Sequence, residues 1–391
     1  MKKYKTYNIN LISKLSVSSS IKQKLSFWAL VNIQWKRVAK EYYHFLMRIG
    51  ITVISKYLTS DVTSMASTRC SKFNKMGLQC KCKVSASLKI YCFQHSFFIL
   101  TKLFIEKVKP FFKWVGGKQD SIHILNKKLP TVFNNYHEIF LGGGSVLFSI
   151  LSLIWQKQIL IKGNIFAYDK NEDLINVYCM IQTNPDLLNN YLEFYSEQYL
   201  KYKSLDKKKF YYLWIRSKFN NLSLNTIDRA ALFIFLNKTG FRGIYRVGPN
   251  GFNVPFGNYS NPAIIFNKTA LTMLSFFIKD VTFKVTSFES SLGKCATGDF
   301  IFMDPPYVQV TPTTFLSYTK DKFSLKKHLE LFRLTILLVQ KRCSFLMTNA
   351  DVMLVRDNFK NYTIDSILAK RRINAKTPQS TALELYIRNF I

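Results

Sequence analysis

Residues 298–307 read GDFIFMDPPY, an apolar run followed by an acidic Asp-Pro-Pro-Tyr turn. The run Phe300–Met303 contains no polar residue, as is typical of a strand covered on both faces of a parallel sheet. The prolines directly after it end the strand, because proline donates no ladder hydrogen bond. Side chains at the carboxyl ends of parallel strands line the ligand sites of open α/β sheets. Asp304 and Tyr307 are therefore candidates for a functional site.

On both sides of this run, other strand-like segments alternate with helical ones. Strands are predicted at 137–140, 164–168, 281–285, 343–347, 362–367 and 383–388, and helices at 146–156, 176–225, 226–238 and 326–340. Such alternation predicts an α/β sheet with crossover helices. The long helical middle predicts an insertion into that sheet, and a Pro-Asn-Gly turn at 249–251 predicts a hairpin.

The composition is that of a strongly basic globular protein. Of 391 residues, 48% are hydrophobic and 20% are charged, and the formal net charge is +33. This charge favours an acidic partner, nucleic acid before a membrane surface, although an AT-rich genome can account for part of the lysine excess. The N-terminus lacks the apolar core of a secretory signal, and no apolar run is long enough to cross a membrane. We therefore expect a protein of the cytoplasm, in a bacterium or in the host of a virus, with no membrane partner.

A glycine turn lies between a predicted strand and a predicted helix. Residues 140–144 read FLGGG, so Gly142 and Gly144 allow a ligand to approach the backbone beside the free N–H groups of a helix N-terminus. Asp169 ends the next strand, where nucleotide-binding α/β folds place an acid that binds ribose hydroxyls. The alternative is a plain tight turn with a surface aspartate.

The DPPY residues suit methylation of an aromatic amine such as that of adenine. The lone pair of this nitrogen is delocalised into the ring, so the amine is a poor nucleophile. The Asp304 carboxylate and the Pro305 carbonyl can accept its N–H groups, and the prolines hold both acceptors in place. Tyr307 can stack on a base that has flipped out of a duplex. The alternative is a strand-ending turn with an incidental acid and aromatic.

Two further segments carry candidate binding residues. Residues 111–118 read FFKWVGGK, in which Trp114 offers a flat apolar wall and Lys118 an ammonium for a carboxylate. Residues 237–247 read NKTGFRGIYRV and begin a glycine-rich hairpin with Arg242, Tyr245 and Arg246 near its tip. Arginine reads guanine through paired hydrogen bonds, and an aromatic ring can fill the gap left by a flipped base. A solvated basic loop is the alternative for the hairpin.

Taken together and in this order, these segments resemble the Dam-type family of adenine-specific DNA methyltransferases. The matching segments include FFKWVGGK at 111–118, FLGGG at 140–144, YDKNEDLIN at 168–176, FNVPFG at 252–257 and GDFIFMDPPY at 298–307. FLSYTKDKF at 315–323 also resembles the family's segment after DPPY. The resemblance implies a Rossmann-like sheet that binds S-adenosylmethionine, a helical target-recognition insertion, and transfer of a methyl group to N6 of adenine in double-stranded DNA by base flipping.

The resemblance also implies roles for individual residues. The catalytic positions fall on Asp304, Pro305 and Tyr307. The cofactor positions fall on Trp114, Lys118, Phe140, Gly142, Gly144, Asp169, Phe288 and Asp304. Arg246 and Pro255 are implied as DNA contacts, beside Arg242 and Tyr245 from the hairpin reasoning above. The chain departs from the family pattern at Ile139, where proline is usual, at Arg242, where asparagine is common, and at Met303, where an aromatic is frequent.

These features divide the chain into four predicted regions. Residues 1–105 form a basic extension of unknown function, 106–180 the first part of the catalytic domain, 181–284 the target-recognition insertion with its hairpin at 240–257, and 285–391 the second part. The first 100 residues contain only Glu41 and Asp61 as acids. Cys70, Cys80, Cys82 and Cys92 with His95 have poor spacing for zinc, and no metal is expected.

Other functions remain open at the level of sequence. One alternative is a catalytically impaired DNA-binding protein, against which the intact DPPY and Asp169 argue. Another is an amine methyltransferase acting on RNA or protein; those groups tend to carry Asn where Asp304 stands, and they lack the arginine-bearing hairpin. The enzyme is expected to be a monomer that acts on duplex DNA, alone or together with a cognate restriction endonuclease.

Overall fold

The computed structural model describes residues 110–259, 268–309, 323–370 and 381–390. Residues 108–391 form one compact unit. The predictions made for the basic extension, for its cysteines and His95, and for most of the 315–323 segment lie outside the described residues. Among the described helices, none combines the length and the hydrophobicity that a membrane crossing requires.

The centre of this unit is a seven-stranded sheet, and short two-stranded pairs accompany it. The strands are β1 (Val132–Phe133), β2 (Tyr136–Glu138), β3 (Leu160–Ile161), β4 (Ile165–Asp169), β5 (Val247–Gly248), β6 (Gly251–Phe252), β7 (Val281–Val285), β8 (Phe300–Met303), β9 (Ser344–Ala350), β10 (Thr363–Lys370) and β11 (Thr381–Arg388). The order in the large sheet is β10-β11-β9-β8-β2-β4-β7. The neighbours from β7 to β9 are parallel, whereas β11 is antiparallel to both β9 and β10.

This strand order confirms the predicted α/β fold and determines where a site can form. The chain begins the sheet at β2, adds β4 and β7 on one side, and then returns to add β8 and β9 on the other. The reversal lies between β2 and β8, so their carboxyl ends open a crevice in which doubly wound sheets bind ligands. The segments after these two strands are the glycine turn and the DPPY turn.

Helices cover the sheet and form the inserted layer. They are α1 (Ile122–Asn126), α2 (Ser145–Trp155), α3 (Glu172–Thr183), α4 (Pro185–Lys201), α5 (Leu205–Asn221), α6 (Ile227–Thr239), α7 (Lys268–Phe277), α8 (Phe288–Gly293), α9 (Leu325–Gln340) and α10 (Met353–Phe359). Short 3₁₀ turns lie at Lys118–Asp120 and Phe241–Gly243.

Local sequence explains where the inserted helices begin. The side chains of Asn171, Ser204 and Thr226 each accept a hydrogen bond from the backbone N–H three residues later, which caps α3, α5 and α6. Pro185 begins α4, because proline suits the first turn of a helix. The long helical segment predicted from residue 176 is thus broken into α3, α4 and α5 by these caps.

Most predicted strands differ from the observed ones only at their ends. The strand predicted at 137–140 is Tyr136–Glu138, because the chain leaves the ladder at the glycine turn. The strand predicted at 343–347 continues to Ala350, since the antiparallel β11 pairs along its whole second half. The short pair β1–β3 and the helices α1, α7, α8 and α10 were not predicted, because they are short or lack a clear period.

Candidate active site

Asp304 lies at the carboxyl end of β8 and is held by two residues from other elements. Its Oδ2 accepts a hydrogen bond from Lys118 Nζ at 2.7 Å, and its Oδ1 accepts one from Thr348 Oγ1 on β9 at 2.6 Å. The side chains of Lys118 and Asp304 are 5% and 19% exposed. Hydrogen bonds to a charged group in such surroundings are strong and directional. The carboxylate is therefore fixed in orientation, with lone pairs left on each oxygen for a further donor.

Trp114 covers the glycine turn at contact distance. A Cβ on Gly142 would lie 2.8 Å from Trp114 Cδ1, and one on Gly143 would lie 3.0 Å from Trp114 Cβ. Gly142 and Gly144 have φ angles of 50° and 71°, which side chains other than glycine rarely adopt. The turn requires glycine both for its backbone conformation and for the ring that rests on it.

Asp169 ends β4 beside this turn. Its Oδ2 accepts a hydrogen bond from the Gly142 N–H at 3.0 Å, and its Oδ1 accepts one from the Asn171 N–H at 2.9 Å. Burial raises the pKa of the Asp169 carboxyl above its usual value, and the backbone N–H donors oppose that shift. The structure therefore brings together Trp114, the glycine turn and Asp169, which come from three separate segments of the chain.

Tyr307 and a group of phenylalanines complete the crevice. The Nζ of Lys118 lies 5.1 Å from the centre of the Tyr307 ring, and burial raises the pKa of the Tyr307 phenol well above its usual range. Phe140 and Phe288 have ring centres 6.1 Å apart, and Phe288 begins α8 directly after β7. Pro305 is buried. The predicted catalytic residues and aromatic cofactor contacts thus lie at the carboxyl ends of neighbouring strands.

The hairpin places its arginines at the surface and Tyr245 inside. Arg246 is exposed, with Nε donating to Asn253 Oδ1 at 2.7 Å and Nη2 donating to the Asn253 carbonyl at 3.0 Å. Arg242 is exposed, and its φ of 58° belongs to the left-handed region. Asparagine adopts that region more readily than arginine. Pro255 is exposed.

Tyr245 does not lie at the tip of the hairpin. It is half-buried, its ring stacks on Trp114 with centres 6.0 Å apart, and its hydroxyl donates to Asp173 Oδ2 at 2.7 Å. Asp173 also forms an ion pair with Arg229, whose Nε lies 2.5 Å from Asp173 Oδ1.

Sequence reasoning missed three residues of this region. Thr348 and Asn253 have no signal in the sequence and are identifiable only from their contacts, whereas Glu138 ends the strand before the glycine turn. Glu138 is 1% exposed and accepts a hydrogen bond from Tyr136 Oη at 2.7 Å. Burial raises the pKa of its carboxyl to about 8. An acid at the end of the strand that precedes a glycine turn was the available clue.

Sequence comparisons with known proteins indicate the family to which this fold and site belong. The sequence model of the D12 class N6 adenine-specific DNA methyltransferases matches residues 114–373. The chain is 33% identical over 280 residues to the Type II methyltransferase M.MjaIII of Methanocaldococcus jannaschii, covering 69% of this chain and 94% of that protein. It is 29% identical over 293 residues to the Type II methyltransferase M1.LlaDCHI of Lactococcus lactis subsp. cremoris, covering 72% and 96%.

A third relative is a DNA adenine methylase, the kind of protein for which the Dam-type family is named. The DNA adenine methylase of Escherichia coli strain K12 is 28% identical over 273 residues, which cover 69% of this chain and 91% of that protein. The family match spans both halves of the sheet and the inserted helices. The predicted family is confirmed: the chain belongs to the D12 class of N6 adenine-specific DNA methyltransferases.

Proposed function

We propose that this chain transfers the methyl group of S-adenosylmethionine to N6 of adenine in a specific duplex DNA sequence, with Asp304 as the catalytic acceptor. The observation that carries the proposal is the position of Asp304 at the carboxyl end of β8, oriented by Lys118 and Thr348. Methylation of DNA follows from family membership. Our proposal adds the methyl donor, the duplex form of the DNA substrate and the roles of individual residues.

The chemistry of the crevice fits S-adenosylmethionine. The Asp169 carboxylate suits the ribose hydroxyls, and Phe140 and Phe288 offer apolar faces to the adenine ring. The space that side chains would take at Gly142 and Gly143 is occupied by Trp114, so this ring and the positive-φ turn together form one wall of the crevice. When bound, this donor supplies an electrophilic methyl group on a cationic sulfur.

Asp304 and the Pro305 carbonyl then act on the target amine. Acceptance of its N–H groups draws the nitrogen towards tetrahedral geometry and frees the lone pair for attack in line with the methyl–sulfur bond. That bond would break as the nitrogen–carbon bond forms, and the surplus proton of the amine would leave through its hydrogen bond to Asp304. The fixed orientation of Asp304 means that this arrangement needs little reorganisation at the moment of reaction. Tyr307 stacks on the flipped adenine, which compensates part of the lost base stacking.

The hairpin supplies the contacts that choose the site. Arg246 is held by Asn253, so its guanidinium is oriented before DNA arrives. Arg242 keeps an unfavourable backbone conformation at an exposed position, and strain of this kind concentrates at functional sites. We assign both arginines and Pro255 to the DNA surface. That the protein is a monomer, and that it acts together with a cognate restriction endonuclease, stay predictions from the sequence.

A methylation assay tests the proposal. The full chain is incubated with labelled S-adenosylmethionine and a mixture of duplexes, and methylated positions are then mapped by sequencing. We expect N6-methyladenine at one short sequence, and none with Asp304→Ala, which removes the carboxylate. Duplex binding by this variant should largely survive. Full activity of Asp304→Ala refutes the catalytic role, and methylation confined to RNA or protein refutes the substrate.

A further inference from the structure

Tyr245 belongs both to the arm that carries the DNA-contacting arginines and to the wall of the cofactor crevice. It directly precedes the exposed Arg246 and follows the 3₁₀ turn Phe241–Gly243 that contains Arg242. Its ring lies nearly parallel to that of Trp114, with an angle of 25° between the planes and 6.0 Å between the centres. Tyr245 therefore connects the arginine-bearing arm to the cofactor crevice.

The contact continues from Trp114 to the turn beneath the cofactor. The space above Gly142 and Gly143 is taken by the Trp114 side chain: a methyl group on Gly142 would collide with it, and one on Gly143 would press against it. Packed side chains transmit displacement because few voids lie between them. A shift of the Tyr245 ring would therefore press on Trp114 and, through it, on the glycine turn.

The hydroxyl of Tyr245 reaches the other wall of the crevice. It donates to Asp173 Oδ2 at 2.7 Å, and Asp173 lies in the first turn of α3. The residue that caps this helix, Asn171, also donates its backbone N–H to Asp169 at 2.9 Å. Tyr245 thus contacts Trp114 through its ring and the Asp169 segment through its hydroxyl.

We propose that Tyr245 is a positioning residue that couples recognition of the DNA site to binding of S-adenosylmethionine. This inference rests on the proposed function and names a regulation of the same site. When Arg242 and Arg246 engage a specific duplex, Tyr245 fixes Trp114 and the α3 start in the geometry that holds the cofactor. Coupling between binding sites is reciprocal, so the cofactor tightens specific DNA binding by the same factor.

The experiment measures this factor in both directions. The affinity of S-adenosylhomocysteine is measured by calorimetry with the full chain alone, with a duplex containing the site mapped by sequencing, and with a scrambled duplex. The affinity of each duplex is then measured with and without S-adenosylhomocysteine. For the wild type we expect the site duplex to tighten binding at least about fivefold, the lower end of typical coupling, and the scrambled duplex to have no effect.

Three variants separate coupling from general damage. Tyr245→Leu removes both the ring and the hydroxyl. We expect the site duplex to tighten binding of S-adenosylhomocysteine by this variant less than about twofold. Tyr245→Phe keeps the ring and loses the bond to Asp173, and we expect an intermediate factor. Tyr212→Phe is the matched control, because it also loses a tyrosine hydroxyl that bonds in this arm, to the Val254 carbonyl at 2.9 Å, and not the bond to Asp173. Its factor should equal that of the wild type.

Defined results overturn the proposal. The first is that the site duplex does not tighten binding of S-adenosylhomocysteine by the wild type. The second is a coupling factor for Tyr245→Leu that equals the wild-type factor, and the third is an equal loss of coupling in Tyr212→Phe. If Tyr245→Leu fails to fold, an unchanged factor in Tyr245→Phe overturns it instead. Failure of the proposed function is distinct, since it appears as absence of N6-methyladenine in the wild-type reaction, whereas failure of the coupling leaves methylation intact.

Discussion

Lys118 and Asp304 are 186 positions apart in the sequence, yet Lys118 Nζ and Asp304 Oδ2 are 2.7 Å apart. The lysine belongs to the 3₁₀ turn that precedes the sheet, and the aspartate follows β8. From the sequence, Lys118 was predicted to meet the carboxylate of the cofactor. In the structure its ammonium orients the Asp304 carboxylate, and we propose that the same cation also meets the carboxylate of the cofactor.

Replacement of Lys118 by methionine tests this double role. The variant keeps the apolar stem but leaves Asp304 without its cation, so we expect KM for S-adenosylmethionine to rise and kcat to fall, each by roughly tenfold or more. Steady-state methylation assays measure both constants. Lys128→Met is the control, because Lys128 also forms an ion pair with an aspartate, Asp365 on β10, at 2.7 Å. Wild-type kinetics for Lys118→Met would contradict the assignment.

Thr348 is expected to matter for kcat rather than for binding. Thr348→Val keeps the shape of the side chain and removes the hydroxyl that donates to Asp304 at 2.6 Å. A hydrogen bond to a charged group contributes about 1.5–3 kcal/mol, so kcat should fall roughly tenfold to a hundredfold while KM changes little. Thr335→Val is the matched control, since Thr335 is equally buried and its hydroxyl donates to the Leu331 carbonyl. Equal effects of the two variants would show general damage to the core.

Arg246 is expected to determine one base pair of the target. Arg246→Ala should cost roughly 1–3 kcal/mol on the preferred sequence and relax the choice at a single position. Asn253→Ala leaves the arginine in place but removes the side-chain acceptor of its Nε, and should relax the same position more weakly. Methylation of a randomised duplex library, read by sequencing, measures both. A loss of affinity that is uniform across sequences would make Arg246 a phosphate contact instead.

Glu138 is expected to make stability depend on pH. Burial raises the pKa of its carboxyl from 4.5 to about 8, so between these values it is ionised in the unfolded chain and protonated in the folded one. Unfolding then releases a proton, and rising pH favours unfolding by up to about 1.4 kcal/mol per pH unit. The stabilising contribution is complete below pH 4.5 and is lost as pH rises to about 8.

Glu138→Gln removes this titration and should flatten the fall in the free energy of unfolding between pH 5 and pH 8. Urea denaturation at the two pH values measures the slope. Glu330→Gln provides the control, because the Arg333 hydrogen bond lowers the pKa of Glu330 and the group does not titrate in this window. Identical slopes for the wild type and Glu138→Gln would show that Glu138 is ionised in the folded protein.

The sequence by itself determined the local elements and the chemistry at their ends. The apolar run before Asp304, the capping residues Asn171 and Thr226, and the glycines at 142–144 are local signals, because strand burial, helix caps and positive φ depend on neighbouring residues. From these signals the α/β class, the glycine turn and the catalytic segment were all predictable, and the family resemblance then named the reaction.

Only the tertiary structure decided which distant residues meet. The sheet order places β9 beside β8, and this alone brings Thr348 to Asp304. The same holds for Tyr245, which was predicted near the hairpin tip and in the structure stacks on Trp114 and donates a hydrogen bond to Asp173. A tyrosine is compatible both with an exposed hairpin position and with a contact to another aromatic ring. The path of the chain through the inserted helices determines which of the two it adopts. Partners that lie far apart in the chain are selected by packing, which no local pattern encodes.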